Sequence, residues 1–410
     1  MWEQIRANKR KSAVLIVAMA LLLVVFGAVM GEALAPGGGW MLGLMAATAL
    51  WFVMTMVSYF QGGKILMAAS GARRIQKKDH PQLFNIVEEM QIAAGMKSMP
   101  AVYIIDDLSP NAFATGRDPD HAAVAVTKGL LAKLNRDQLQ GVIAHEMSHI
   151  VNRDVLFMTL IGVMLGAIVM VSQVALRGMF YGGGRVRRSR SSSRGGGGQA
   201  QAIMMVLALL MAILAPILAR IIYFAASRRR EYLADANAAA LTRYPEGLAQ
   251  ALEIIGGDAR PMARANQAIA PMYIHNPMQL AASSAFSTHP PIAERVRILR
   301  GLTSGASLAD YEQSWRRVAG ESADTLPASA LAGAAAVPLR EAHADSARTP
   351  DAKARLRQVG DALRMLDGFL FIPCACGLRL KLPPDFTGHT VECPRCHRRH
   401  SVDEARQAQA

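Results

Sequence analysis

Five consecutive residues carry the clearest chemistry in the chain: His145-Glu146-Met147-Ser148-His149. Side chains four positions apart on a helix lie one turn apart on the same face. The two imidazoles can therefore share one Zn2+ ion. Glu146, next to the first histidine, can reach a water on that metal and act as general base, while the metal brings the water's pKa towards neutrality. A catalytic zinc site needs a third protein ligand and an open position. The segment from residue 228 to 240 reads RRREYLADANAAA, a helix by composition, with Glu231 and Asp235 again four apart on one face. Glu231 is the candidate third ligand. Asp235 is the candidate acceptor for the N–H of a ligand histidine, which would fix its tautomer. Taken alone, this segment reads better as an exposed helix with ordinary Arg/Glu pairs. Its place just after a long apolar run, on the side of the histidines, favours the ligand reading.

The only four cysteines form a second cluster: Cys374-Ala-Cys376, sixteen intervening residues, then Cys393-Pro-Arg-Cys396. Two cysteine-bearing turns separated by the strand-like segments LRLKLP and HTVEC fit a zinc ribbon. Two disulfides are the alternative, disfavoured if the tail lies in a reducing compartment. The first pair is Cys-x-Cys, a tighter turn than the commoner Cys-x2-Cys. A site with four thiolates has no open position and should be structural. Its basic edge (Arg395, His397, Arg398, Arg399, His400) can recruit a protein partner or a nucleic acid, but nothing there reads bases, so a nucleic-acid role is disfavoured.

The histidine segment needs a helix to present it. Asn135 can cap one and Asp137 fits its first turn. Leu139, Val142, Ile143 and Ile150 give apolar positions at helical spacing. Ala101–Ile105 and His121–Val126 read as short strands, with Asn111 in the loop between them, ahead of the zinc helix. Residues 301–366 are rich in Ala, Ser and charge and read as a linker with some helix from Lys353 to Leu366.

Four apolar runs, from about 13 to 30, 40 to 60, 155 to 176 and 202 to 226, each approach the length of about 20 residues that crosses a bilayer. The composition agrees, with 52% hydrophobic and only 19% charged residues. That is too apolar for an ordinary soluble enzyme and suggests membrane spans, with the lipid bilayer as an implied partner. A transporter is disfavoured because the runs carry few polar groups and show no internal repeat. The first run reads as a span and not as a cleaved leader, because a second follows after a Gly-rich turn. Arg6, Lys9, Arg10 and Lys11 precede the first hairpin, and Lys64, Arg73, Arg74, Lys77 and Lys78 follow it. The positive-inside rule then puts both its ends in the cytoplasm. The net charge of +14 owes part of its excess to an Arg/Ser/Gly-rich stretch within 177–200. That stretch reads as a solvated, disordered loop. If the second hairpin crosses, its tip breaks the positive-inside rule; otherwise the hairpin is re-entrant or buried in protein. Either way residues before Asp154 and after Ser227 share a compartment.

Asn111-Ala-Phe-Ala-Thr-Gly116, Ala144-His-Glu-Met-Ser-His149, Arg230-Glu-Tyr-Leu-Ala-Asp235 and Thr288-His-Pro-Pro-Ile292 occur in this order, all after the first hairpin and with the second between His149 and Arg230. In this the chain resembles the HtpX-type bacterial membrane metalloproteases, relatives of the CAAX prenyl endopeptidases, over about three-quarters of its length. The resemblance implies zinc ligands at His145, His149 and Glu231 and a general base at Glu146. It implies cleavage of membrane or misfolded proteins in envelope quality control, at the bacterial inner membrane, with the active site and both termini cytoplasmic. It also suggests that Asn111, Ala112 and Phe113 contact the substrate backbone, where the sequence alone offers only a turn asparagine after Ser-Pro. It supports His289, held out of a helix by the prolines after it, as an oxyanion donor, and Arg295 as a residue that orients a carboxylate or the substrate.

The expected architecture is a mostly α membrane protein. It comprises a hairpin at 1–60, a zincin-like (gluzincin) core with a small β-sheet in two halves at 61–154 and 227–300, a second hairpin at 155–226, a linker at 301–366 and a β-rich zinc ribbon at 367–403. The competing reading is a catalytically silent membrane scaffold or regulator that works through the ribbon. It keeps the fold but needs no Glu146.

Overall fold

The computed structural model describes residues 2–181, 197–225, 228–258, 260–263, 272–275, 290–320, 326, 331, 335–344 and 351–409. Two long apolar helices open the chain, α1 (Trp2–Leu34) and α2 (Gly39–Ala69). Gly27, Gly31, Gly39 and Gly43 let their backbones meet: a Cβ on Gly43 would lie 2.1 Å from the Gly27 carbonyl oxygen. At the tip, the Glu32 carboxylate accepts from the backbone N–H groups of Gly37, Gly38 and Trp40, which the turn would otherwise leave unpaired.

The second pair, α6 (Asp154–Tyr181) and α7 (Gly197–Ala225), lies beside the first. Met19, Leu23 and Phe26 of α1 pack with Met164, Leu165 and Ile168 of α6 and with Ala212, Ala215 and Ala219 of α7. All four helices contain a stretch long and apolar enough to cross a membrane. The two hairpins thus pack together as one four-helix bundle. The outer faces keep Leu, Ile and Val side chains exposed, as lipid-facing surfaces do. The tip of the second hairpin, expected to be a disordered Arg-rich loop, lies outside the described residues from 182 to 196.

Helix α2 runs nine residues past the expected end of its hairpin, straight into the catalytic domain. There a four-stranded sheet has the order β1 (Ala72–Arg74), β2 (Ala101–Ile105), β4 (Ala122–Thr127), β3 (Ala112–Gly116). Only β2 and β4 are parallel; β1 and β3 run antiparallel on the two edges. The two strands expected from sequence are the central ones. The sheet packs on α3 (Pro81–Ala93), α4 (Lys128–Lys133) and α5 (Arg136–Val151), and α8 (Arg228–Thr242), α9 (Pro245–Gly256) and α10 (Ile292–Arg300) close the core.

Residues 301–366 do more than link. In α11 (Leu308–Ala319), Tyr311 and Trp315 enter the main core, as does Leu326 beyond it. Residues 335–344 run along the catalytic domain as a strap, where Arg340 donates to the Thr242 carbonyl, to Asp137 Oδ1 and to Gln140 Oε1. The helix α12 (Ala352–Leu366) puts Val359 and Leu363 into the same core. The ribbon follows, as hairpins β5 (Leu370–Pro373) with β6 (Arg379–Leu382) and β7 (Thr390–Glu392) with β8 (Arg399–Ser401), then α13 (Val402–Gln409).

Candidate metal centre and active site

Helix α5 begins with a capping box: the Asn135 side chain accepts from the N–H of Gln138, and the Gln138 side chain accepts from the N–H of Asn135. Two turns on, His145 and Glu146 are almost wholly buried, and His149 is partly open. Helix α8 packs along α5 and brings Glu231 to the histidines. The three facing groups form a compact triangle. His145 Nε2 is 3.3 Å from His149 Nε2 and 3.6 Å from Glu231 Oε2, and His149 Nε2 is 3.5 Å from Glu231 Oε1.

The other side of each ring faces a carboxylate. His145 Nδ1 lies 3.0 Å from Asp235 Oδ1, a close contact whose angle falls short of a straight hydrogen bond. His149 Nδ1 is 3.4 Å from Asp154 Oδ2. With the ring protons on Nδ1, towards these carboxylates, both Nε2 atoms would present lone pairs to each other and to Glu231. Three lone-pair donors converging in a buried site repel one another unless a cation lies among them. Their spacing also suits one: tetrahedral zinc with bonds of about 2.0–2.1 Å sets its ligands about 3.3 Å apart. Without a cation, burial works against charging His145, but Asp235 and Glu231 outweigh it and push its pKa up to about 9. The field at the triangle therefore favours positive charge.

Arg295 supports this arrangement from below. Its side chain is 0% exposed and forks onto Asp235, with Nε and Nη2 donating at 2.8 and 2.7 Å. Its Nη1 is 3.5 Å from Glu231 Oε2. Burial alone would raise the Asp235 pKa, but Arg295 first and His145 next hold it below the ordinary carboxylate range. Of the two roles expected for Arg295, a carboxylate or the substrate, the geometry has it on carboxylates.

Asn111 is buried, and its side-chain amide engages the chain's own backbone at His275. Ala112 and Phe113 lie in β3, fully enclosed. His289 lies outside the described residues. Two groups at the site escaped the sequence reading. Asp154 stands five residues after His149, and its only signal was a carboxylate just beyond the helix end. Arg230, at the end of an ordinary-looking Arg run, lines the cavity beside Glu231 and donates to Met158 Sδ at 3.1 Å.

In the ribbon the four sulfurs converge, with Cys374 Sγ 3.4 Å from Cys396 Sγ and Cys376 Sγ 3.7 Å from Cys393 Sγ. Tetrahedral zinc with Zn–S of about 2.3 Å puts sulfurs about 3.8 Å apart. The backbone N–H of Arg395, against burial and helped by that of Cys396, holds the Cys393 thiol down at about 6, which favours the thiolate a metal needs.

The family model described as Peptidase family M48 matches residues 77–303, which hold the sheet, α5, α8 and α10. A protease HtpX homolog of Dictyoglomus thermophilum is 44% identical over 317 residues, covering 76% of this chain and 98% of the relative. A protease HtpX homolog of Listeria innocua is 44% identical over 308 residues, covering 74% of this chain and all of the relative. That of Streptococcus uberis is 41% identical over 302 residues, covering 73% of this chain and 99% of the relative. A crystal structure of S. mikatae Ste24p aligns with a TM-score of 0.38 at 18% identity, over 73% of this chain and 67% of that one.

By class, then, this is a multi-pass membrane metalloprotease, with the helices that carry His145, His149 and Glu231 set against a small sheet next to a four-helix bundle. The chain belongs to peptidase family M48 and, within it, to the HtpX-type proteases. About a quarter of its length has no aligned counterpart in those relatives.

Proposed function

We propose that the protein is a zinc-dependent endopeptidase of the bacterial inner membrane that hydrolyses peptide bonds in membrane or misfolded proteins, as part of envelope quality control. The observation that carries this reading is the triangle of His145 Nε2, His149 Nε2 and Glu231, with both Nδ1 atoms turned to carboxylates. Zinc, when bound there, supplies Lewis-acid chemistry, polarising the scissile carbonyl and acidifying water. Glu146, which lines the same cavity, takes a proton from the attacking water and delivers it to the leaving amine. Asp235 and Asp154 hold the two imidazoles in one tautomer, and Arg295 holds Asp235 and Glu231. Asn111, Ala112 and Phe113 align the substrate backbone along β3, and His289 donates to the oxyanion. The ribbon holds a second zinc through Cys374, Cys376, Cys393 and Cys396, and serves as a docking module for a protein partner.

The basic residues flanking the first hairpin support a cytoplasmic catalytic domain and cytoplasmic termini. The side-by-side packing of the hairpins supports a second crossing, with the Arg-rich tip on the far side.

Casein digestion by the detergent-solubilised chain tests this reading. Cleavage should stop with a zinc chelator and return on adding Zn2+. Cleavage indifferent to chelation would remove the metal from the mechanism. No cleavage under any condition, with zinc held only by the ribbon, would favour the silent scaffold.

A further inference from the structure

The catalytic cavity does not admit a polypeptide as it stands. The space open to the centre of a water molecule there is about 30 Å³, room for a couple of waters and not for a polypeptide. The wall opposite the metal ligands comes from Met272 and Ile274. Between them Tyr273 turns the other way, fully buried among Leu66, Met67, Ile105, Phe113 and Ala125 on the far face of the sheet. Its ring meets that of Phe113 edge to face at 5.0 Å.

These contacts have a register. Ile274 stands against Ala112, whose carbonyl accepts its N–H at 3.0 Å. Tyr273 stands against Phe113, and Met272 shares the cavity with Ala114. Three successive residues thus face β3 in antiparallel order, joined to it by one backbone hydrogen bond and without regular strand structure, with Met272 packing also against the cluster that holds Tyr273. Asn111 extends the pairing by one residue. Its Nδ2 donates to the His275 carbonyl at 2.8 Å and its Oδ1 accepts from the His275 N–H at 3.3 Å. These are the edge groups an extended peptide uses when it adds to a sheet.

We infer that Met272–His275 occupies the place of the substrate strand on β3, and that a protein substrate reaches His145, Glu146 and His149 only by displacing it. The inference rests on the proposed peptidase reading and specifies how that site is controlled. Tyr273 is the latch. Its hydroxyl has no hydrogen-bond partner among the described residues, so Tyr273 itself holds through its apolar ring, alongside the hydrogen bonds that Ile274 and His275 make to Ala112 and Asn111. The apparent affinity for substrate is then lowered by the fraction of molecules with the segment displaced.

Two measurements on the full chain in detergent test this. Tyr273→Ala should raise kcat/KM for casein, by about fivefold or more if the open form is a minor state, while Tyr273→Phe, which keeps the ring, should not exceed wild type. In Glu146→Gln, saturating casein should make the amides of Ile274 and His275 exchange faster with deuterium, while those of Ala112–Gly116 stay protected. The second measurement stands even if Tyr273→Ala fails to fold. Segment amides that keep or gain protection under casein would overturn the inference, as would a folded Tyr273→Ala no faster than wild type. If wild type cleaves and Glu146→Gln does not, such results leave the peptidase reading intact. No cleavage by wild type or by Tyr273→Ala would remove that reading and the inference with it.

Discussion

The site is a chain of charges in which each member makes the next one usable. Arg295 pairs with buried Asp235, Asp235 faces Nδ1 of His145, and Asp154 faces Nδ1 of His149. Removing a link should cost more than the lost contact, because what remains is a buried uncompensated charge. Arg295→Met should destabilise the fold by about 3–5 kcal/mol, read as a lower unfolding temperature, and should weaken zinc binding at the catalytic site. Asp154→Asn should lower catalytic zinc affinity by about 10–100-fold with little change in fold, measured by competition with a chelator. The His-Glu-x-x-His group was legible because one helix turn brings its members together, so local spacing is enough. Asp154 was not, because Arg153 adopts a left-handed conformation (φ 62°) between α5 and α6 and turns the carboxylate back to the ring. Sequence spacing does not report that turn. Arg295 was visible as a candidate, but its choice between carboxylate and substrate depends on α10 packing against α8.

Among the elements, helix ends and straps set how firmly the ligands are held. Asn135→Ala breaks the capping box of α5 and should cost about 1 kcal/mol, read by thermal unfolding. Asp258 pins the loop after α9 to Lys133 of α4. Arg260 first, then Lys133, holds its pKa below the ordinary carboxylate range, against the effect of burial. A carboxylate depressed in the folded state stabilises fully above its unfolded pKa of about 3.9 and loses that contribution as pH falls further. Wild type should therefore lose stability below about pH 4, and Asp258→Asn should show a shallower acid loss; equal acid slopes would contradict this. The central strands were readable from their β-branched runs. The edge strands were not: Ala-Phe-Ala-Thr-Gly lacks a strand's alternation because β3 is enclosed on both faces. The helix α11 was hidden by averaging, since a polar composition masks the single stripe of Leu308, Tyr311, Trp315 and Val318.

At the scale of the whole molecule, the membrane bundle, the catalytic domain and the ribbon are continuous. Helix α2 enters the domain without a break, and α12 anchors the tail to the core before the ribbon begins. A chain ended before Cys374 keeps the strap and α12, so it should still cleave casein while its zinc content falls from about two ions to about one. The hairpins and the ribbon were legible from hydropathy and cysteine spacing. Their attachment was not, because the contacts of Arg340, Val359 and Leu363 link positions some two hundred residues apart.

The most direct test of the central claim is zinc content and casein cleavage measured together on Glu146→Gln and wild type in detergent. Glu146 is not among the ligands, so the variant should keep about two zinc ions while cleavage falls by about a hundredfold or more. Cleavage that persists at the wild-type rate in Glu146→Gln, with contaminating proteases excluded, would contradict the account.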